Sequence, residues 1–450
     1  MSFVYIKTYG CQMNEYDSEV IAGILQKEGY RITSDLKKAD LVVVNTCYVR
    51  EKVKHKVFSF LGELKKIKLQ NPSLIIGVGG CLAQKDPYQI KGRAPYVDII
   101  WGTSNLHLLP DLLRIAKEGK TPVIEVKEEA LPDTLPILRK KNFSVYIPVI
   151  RGCNNFCTYC NVPYVRGREK SRPLSSILEE VKKAVDRGCR EVILLGQNVN
   201  SYGRDLPEKV DFAHLLSKIN DVEGICRIRF TTSHPKDLSD RLISAMAELD
   251  RVCEHLHLPL QAGSDRILKL MRRGYTAEDY LELVDKVREF VPDISITTDL
   301  IVGFPGETEK DFEDTLYMVE KVRFDGAFTF AYSSIPGTRA AEFENQVPEE
   351  IKRKRLRKLI ELQQRITEEK NKFWVGKEVE VLVEGTSKKD VEMLEGRTRH
   401  NKMVIFKGDK TLTGELVRVK IKQAGCWALK GELIEKGEKT PRKSLNRVSL

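Results

Sequence analysis

Strand-like and helical patterns alternate through roughly the first 370 residues of this chain, and that alternation restricts the fold more than any single motif does. Apolar runs at residues 3–6, 41–44 and 74–78 are separated by amphipathic stretches at 17–28 and 51–68. Six further strand-like runs follow at 144–150, 191–195, 225–231, 255–259, 294–302 and 327–332. Helical patterns lie between them at 175–187, 237–249, 265–271, 277–290 and 309–322. Strands joined through helices pair in parallel. The expected class is therefore α/β, with an N-terminal open parallel sheet over residues 1–120 and a central partial (β/α)6 barrel over 141–371.

Both architectures gather the carboxyl ends of their strands along one edge, where ligands bind. Cysteines stand at those ends. Cys11, Cys47 and Cys81 each follow an apolar run of the first unit, 36 and 34 residues apart. Their convergence on one cluster site is expected, against the competing reading of three unrelated buried thiols. Gly10, Gly79 and Gly80 would let the backbone turn tightly beside a bulky group.

The first strand of the second unit runs into Arg151-Gly152-Cys153-Asn154-Asn155-Phe156-Cys157-Thr158-Tyr159-Cys160, a CxxxCxxC pattern with an aromatic before its last thiol. Three cysteines hold three corners of an iron–sulfur cube and leave the fourth iron open to a small chelating molecule. Structural zinc is the competing reading; it calls for a second cysteine pair or a histidine at matching distance, and neither stands nearby. Ten cysteines clustered in this way fit a reducing compartment better than a disulfide framework. Cys189, Cys226, Cys253 and Cys426 lack partner spacing and are expected to be structural.

Other strand ends carry Gly196-Gln197-Asn198, Ser233-His234-Pro235, Gln261, and Asp299 through Gly303 to Glu307. The last segment also reads simply as a strand followed by a glycine–proline turn. His255 and His257, two apart on a strand, share a face that could bind a metal or a proton, but read first as packed polar residues. Residues 121–140, with Pro122, Pro132 and Pro136 around an acidic patch, read as a linker. Residues 349–373 form a helix, acidic at its start and basic after it, whose charge run suits either nucleic acid or solvent. Alternation then replaces helical periodicity at 378–383, 402–406, 416–421 and 428–433, which implies a small antiparallel β-barrel over 372–438. Arg397-Thr398-Arg399-His400-Asn401-Lys402 reads as a set of phosphate donors on that barrel. The basic stretch at 439–450 reads as a disordered tail.

The formal net charge of +11 suggests an acidic partner such as nucleic acid, or else a basic solvated surface. No run is apolar for long enough to span a bilayer, and the N-terminus enters a strand with no leader pattern. A cytoplasmic protein with no membrane partner is the expectation.

With Tyr159 before its third cysteine, the loop resembles the signature of the radical S-adenosylmethionine (SAM) superfamily. That resemblance implies a 4Fe-4S cluster on Cys153, Cys157 and Cys160 that chelates SAM and cleaves it to a 5'-deoxyadenosyl radical. It also implies SAM-pocket roles for Tyr159, Gly196, Gln197, Asn198, Ser233, Gln261, Asp299 and Gly303. Residues 196–198 stand where the superfamily often has Gly-Gly-Glu, and Asp299 replaces the first glycine of a GxIxGxxxE-like segment. The C-terminal barrel resembles the TRAM domain, an OB-like RNA-binding module.

Together these three parts resemble the methylthiotransferases, and segments 166–173, 232–235 and 396–402 resemble their MiaB branch. This implies a second, auxiliary 4Fe-4S cluster on Cys11, Cys47 and Cys81, and two uses of SAM. The implied substrate is a tRNA anticodon stem-loop bearing a prenylated adenosine, converted from N6-dimethylallyladenosine to its 2-methylthio form. A reductant protein such as flavodoxin or ferredoxin and a monomeric state are expected, and no residue is assigned as a catalytic acid or base. Two alternatives are a sister methylthiotransferase, acting on threonylcarbamoyl-adenosine or on a ribosomal-protein aspartate, and a non-catalytic, metal-stabilised RNA-binding protein.

Overall fold

The computed structural model describes residues 2–48, 51–129 and 131–436. The N-terminal unit is a parallel sheet of six strands: β1 (Ser2–Thr8), β2 (Tyr30–Ile32), β3 (Leu41–Thr46), β4 (Ile75–Gly80), β5 (Ile99–Trp101) and β6 (Val123–Glu125). Their order is β2-β1-β3-β4-β5-β6. β1, β3 and β4 are the three expected strands. All six residues of β3 are buried, as a central parallel strand covered on both faces requires. β2, β5 and β6 have three residues each, too few to show a period in sequence.

β6 falls inside the stretch read as a linker, and the chain after it is packed as well. Leu131, Leu135 and Ile137 lie against the core beneath helix Gln12–Lys27, and the Leu138 amide donates to the Glu19 carbonyl at 3.0 Å. The prolines of this stretch mark a strap, not a free connection, because its apolar residues have a helix to cover.

The central unit contains β7 (Ser144–Pro148), a short antiparallel pair β8 (Ile150–Arg151) and β9 (Lys170–Ser171), then β10 (Glu191–Leu195), β11 (Arg227–Phe230), β12 (His255–His257), β13 (Ser295–Val302) and β14 (Gly326–Ala331). All six expected strands are present and parallel, but they form two sheets of three, β7-β10-β11 and β12-β13-β14. Residues just before β12 bridge the gap. The Ile228 amide donates to the Arg251 carbonyl at 2.7 Å, and the Cys253 amide to the Ile228 carbonyl at 3.0 Å.

Val145, Ile147, Val192 and Leu194 face the surrounding helices, while Tyr146 and Ile193 on the alternate face pack into the core around helix Gln12–Lys27. The N-terminal domain is thereby seated against the inner face of the half-barrel. Helix Glu349–Lys372 closes the unit through buried Arg355, Leu359, Gln363 and Ile366.

The C-terminal unit is a closed barrel of β15 (Glu378–Thr386), β16 (Met393–Thr398), β17 (Met403–Lys407), β18 (Leu416–Ala424) and β19 (Leu429–Lys436), ordered β15-β16-β17-β19-β18. β16 was not expected, since Glu395, Gly396 and Arg397 interrupt its alternation. The β17–β19 pair is parallel and the other pairs are antiparallel. Val381, Val383, Leu394, Val404, Phe406, Val417 and Val419 fill the interior. Positions 437–438 of the expected barrel, and the expected tail at 439–450, lie outside the described residues. Among the described residues, no helix is long and apolar enough to cross a membrane.

Candidate metal centres

The loop after β8 is shaped by close backbone packing. Gly152 has φ +77°, and a Cβ there would meet the Arg168 carbonyl at 2.0 Å, so no other residue passes. Its amide donates to Gln197 Oε1 at 2.6 Å, which ties the thiol loop to the end of β10. The Cys153 amide donates to the Gly167 carbonyl, the Cys160 amide to the Cys157 carbonyl, and Thr158 to the Met271 and Leu270 carbonyls.

The three thiols feel one another. Burial pushes Cys153 up to about 11, with Glu169 and Cys157 adding to the shift. Burial pushes Cys160 up to about 12, and Cys157 and Cys153 raise it further. Deprotonating these neighbouring thiols together would need a cationic centre to neutralise them, and the donor set of Cys153, Cys157 and Cys160 suits a thiolate-ligated cluster.

A residue that the sequence did not disclose stands against this trio. Arg273 is buried, and its Nη1 donates to Cys157 Sγ at 3.4 Å and to the Tyr159 hydroxyl at 3.5 Å. Nε donates to the Tyr275 hydroxyl at 2.9 Å, and Nη2 to the Pro259 carbonyl at 3.0 Å. Arg273 follows a short helix as one of two adjacent arginines, and no spacing rule marks it.

At the ends of β10 and β11 several buried polar atoms have no hydrogen bond among the described residues: Asn198 Oδ1, Ser233 Oγ and both ring nitrogens of His234. Leaving such groups unsatisfied costs about 1–3 kcal/mol each, a cost that a polar ligand reaching these strand ends would relieve. Burial, with Arg273 and Lys236 nearby, brings His234 down to about 2 and keeps it neutral. Asn198 is fixed by donating Nδ2 to Asp237 at 2.7 Å. Gly196 approaches Ile150 so closely that a Cβ would sit 2.5 Å from its methyl.

Gln261 has φ +74° and bridges to Leu300, its amide donating to the Asp299 carbonyl at 2.8 Å. The Asp299 carboxylate faces His257 Nε2 at 3.5 Å. His257 and His255 share the Thr297 hydroxyl at 3.0 Å each, as packed polar residues do. Gly303 is turned away from this group. Its amide donates to Glu307 Oε2 at 2.8 Å, Glu307 accepts from Arg355, and Lys352 covers the glycine. The GxIxGxxxE-like segment therefore closes its own buried loop.

The second trio sits at three adjacent strand ends. Cys11 caps helix Gln12–Lys27, Cys47 follows β3, and Cys81 begins helix Cys81–Lys85. The strand order reverses between β1 and β3, which is where open sheets bind ligands. Buried amides lace the ends together. Asn14 Nδ2 donates to Asn45 Oδ1 at 3.2 Å, Asn45 Nδ2 to the Asn14 carbonyl at 2.9 Å, and Thr46 Oγ1 to the Gly79 carbonyl at 2.6 Å. Gly80, at φ +93°, lies where a Cβ would strike the Thr46 carbonyl.

Burial raises the Cys81 thiol, Cys11 and Asp17 raise it further, and Arg166 opposes them. Arg166 comes from the other domain, six residues past Cys160. Its Nη1 donates to Asp17 Oδ2 at 2.7 Å, and Arg151 Nη2 donates to Asp17 Oδ1 at 3.1 Å. Asp17, only 2% exposed, thus clamps two arginines that flank the other thiol loop. Sequence reading treated Asp17 as a helix start and nothing more. Among the described residues no three His, Cys, Asp or Glu side chains are arranged to hold one metal ion. None of the ten cysteines is paired in a disulfide.

The expected phosphate donors of the barrel are engaged elsewhere. Arg399 donates to Glu254 at 2.7 Å and to the Val252 and Asp250 carbonyls. Lys402 pairs with Asp325 at 2.8 Å, and Arg397 with Glu384 at 3.2 Å. Arg227 and Arg229 of β11 reach back to the Arg397, Thr398 and Arg399 carbonyls. Segment 397–402 is a latch between the barrel and the central unit through Arg399, Lys402 and its own carbonyls, while the Arg397 side chain pairs within the barrel.

Three family matches fall on the three units. Residues 3–102 match uncharacterized protein family UPF0004, residues 147–319 the radical SAM superfamily, and residues 372–434 the TRAM domain. The chain is 53% identical over 437 residues to the tRNA-2-methylthio-N(6)-dimethylallyladenosine synthase of Thermoanaerobacter sp. (strain X514), covering 96% of this chain and 93% of the relative. It is 54% identical over 434 residues to the protein of the same name from Moorella thermoacetica (strain ATCC 39073 / JCM 9320), covering 96% and 98%. Among solved structures, the fold resembles the radical S-adenosylmethionine methyltransferase TsrM from Kitasatospora setae, with a TM-score of 0.56 at 16% identity over 76% of this chain and 75% of that one.

Proposed function

The chain belongs to the family of tRNA-2-methylthio-N(6)-dimethylallyladenosine synthases, and from that premise we propose that it installs a methylthio group on carbon 2 of N6-dimethylallyladenosine beside the tRNA anticodon. The observation that carries this reading is the near full-length likeness, with two cysteine trios held side by side through the Asp17 clamp. Cys153, Cys157 and Cys160 bind the SAM-dependent 4Fe-4S cluster, and Cys11, Cys47 and Cys81 bind the auxiliary one. The first group, if bound by Cys153, Cys157 and Cys160, would supply one-electron reductive cleavage of SAM to methionine and a 5'-deoxyadenosyl radical, and the second, on Cys11, Cys47 and Cys81, would supply the sulfur chemistry, with a further SAM as methyl donor.

Carbon 2 of adenine has no acidic proton and no leaving group, so a radical route suits it and a strong base does not. The neutral state of His234 agrees with a pocket that binds and does not titrate. Asn198 Oδ1 and the Ser233 hydroxyl offer polar partners to SAM at the strand ends. Gln197 and Gly196 shape the wall by holding the thiol loop against β10, while Tyr159 packs on the apolar cluster around Ala262 and accepts from Arg273. Gln261 and Asp299 line the facing strand ends, and Gly303 contributes through the loop it closes. Arg273 sets a positive charge against the Cys157 sulfur.

In this reading residues 1–120 with the added sixth strand are the methylthiotransferase domain, 141–371 the radical SAM core, and 372–438 the RNA-binding TRAM domain. The enzyme acts as a cytoplasmic monomer supplied with electrons by a flavodoxin or ferredoxin. Anaerobic reconstitution, followed by reaction with SAM and prenylated tRNA, tests the whole. Nucleoside mass spectrometry is expected to find methylthiolated adenosine, and its absence with both clusters intact would overturn the proposal.

A further inference from the structure

We infer that Tyr164, braced by Phe156, Arg168 and Lys85, is a stacking platform for an unpaired nucleobase of the RNA loop at the entrance to the two thiol centres. This rests on the proposed tRNA substrate and adds to it where the RNA is gripped.

Tyr164 lies in a single helical turn, Val162–Val165, immediately after the thiol loop. Its neighbours are pinned inward. Pro163 and Val165 are buried, and Val165 joins the core of the N-terminal sheet. The turn is tied down on both sides. Asn161 Nδ2 donates to the Tyr48 carbonyl at 2.9 Å, and Thr103 Oγ1 to the Val165 carbonyl at 2.6 Å. Tyr164 alone is left outward, at 52% exposure.

What surrounds it is what a base would need. The Phe156 ring meets it edge-on at 5.9 Å and 80°, and the Arg168 guanidinium lies over Phe156 at 4.2 Å. Lys85 Nζ sits 5.7 Å from the Tyr164 ring centre. Phe156 holds its place with φ +47°, a backbone state that a bulky residue adopts only under constraint. Aromatic faces interleaved with cations bind single-stranded nucleic acid by stacking and phosphate attraction together.

Position argues for the same occupant. Phe156 precedes Cys157, Tyr164 follows Cys160 by four residues, and Lys85 follows Cys81 by four, so the platform spans the seam between both centres. A target base must leave its stack to reach them, and its neighbour then lacks a partner that an exposed ring can replace. The net charge of +11 fits an acidic partner, while on the barrel Arg399 and Lys402 are committed to the interdomain latch and Arg397 pairs with Glu384 of the same barrel.

The test uses the reconstituted full chain and a prenylated anticodon stem-loop carrying 2-aminopurine beside the target adenosine. Anisotropy reads affinity and 2-aminopurine quenching reads stacking. Wild type is expected to bind and quench. Tyr164→Ala and the bulkier Tyr164→Leu should bind about tenfold more weakly or worse and lose the quench, while Tyr164→Trp should restore both. Arg168→Ala should weaken binding with a shallower salt dependence and keep the quench. If both Tyr164→Ala and Tyr164→Leu match wild type in affinity and quench while the wild type still methylthiolates tRNA, the platform is refuted and the enzymatic reading stands. If wild type neither binds nor modifies the stem-loop, both fall.

Discussion

The two cysteine trios are placed by different physical routes. Cys153, Cys157 and Cys160 lie within eight consecutive residues, so their separation is set by one loop. Cys11, Cys47 and Cys81 span 71 residues and stand at adjacent strand ends because β1, β3 and β4 are neighbours in a parallel sheet. Their electrostatic support differs in the same way. The loop trio takes its arginine, Arg273, from its own barrel, whereas the strand-end trio borrows Arg166 from the adjoining domain through Asp17. The first centre is self-contained, and the second depends on how the domains dock.

The largest test of that contrast is to empty each centre in turn. Cys157→Ala should abolish 5'-deoxyadenosine production by the reduced protein and therefore all methylthiolation. Replacing Cys11, Cys47 and Cys81 together by alanine should halve the bound iron and stop sulfur insertion, yet leave SAM cleavage measurable by chromatography. Loss of cleavage in that triple variant would show that the centres are not separable.

Next in size is Asp17→Ala, which strands Arg166, 4% exposed, and Arg151 without their shared carboxylate. Breaking such a buried pair costs about 3–5 kcal/mol. Denaturant unfolding should show that loss, and nucleoside yield should fall further than SAM cleavage does. Equal losses of both activities would count against the borrowed support of the second centre.

A smaller effect is expected at Arg273. Arg273→Leu removes a cation from the Cys157 sulfur, so the more negative, reduced state of the loop centre is less favoured and its potential should drop. Arg273→Lys should drop it less. An electron paramagnetic resonance redox titration reads both, and an unmoved potential would reject the assignment.

The smallest effect concerns docking of the barrel. The His400 ring packs on Trp374 with centroids 4.6 Å apart and a tilt of 56°, and burial brings its pKa down from 6.5 to about 4. An unfolded chain takes up the proton near 6.5 while the folded one resists it, so stability is complete above about 6.5 and declines as the pH falls toward about 4. Thermal melts across that window should slope less in His400→Phe. An unchanged slope would exclude this histidine as the source.

Much of the architecture was legible because it rests on period and spacing. All nine expected strands of the first two units exist, and helices Ala277–Phe290 and Glu309–Val322 match their expected limits. The three-residue strands were not legible, since they are held by pairing with neighbours and not by their own pattern. The barrel arginines show the opposite failure. Segment 397–402 reads as a phosphate site from composition, but Glu254, Asp325 and Glu384 come to it from elsewhere in the chain and consume it.

By itself the sequence determined that the longer parallel strands exist and roughly where they lie, and that the six thiols fall beyond strand ends, because hydrophobic period and thiol spacing are local quantities. Only the tertiary structure decided which charges reach those thiols. Asp17, Arg166 and Arg273 act across sequence separations of 149 and 116 residues, and an ion pair or hydrogen bond depends on distance in space, which no local pattern encodes.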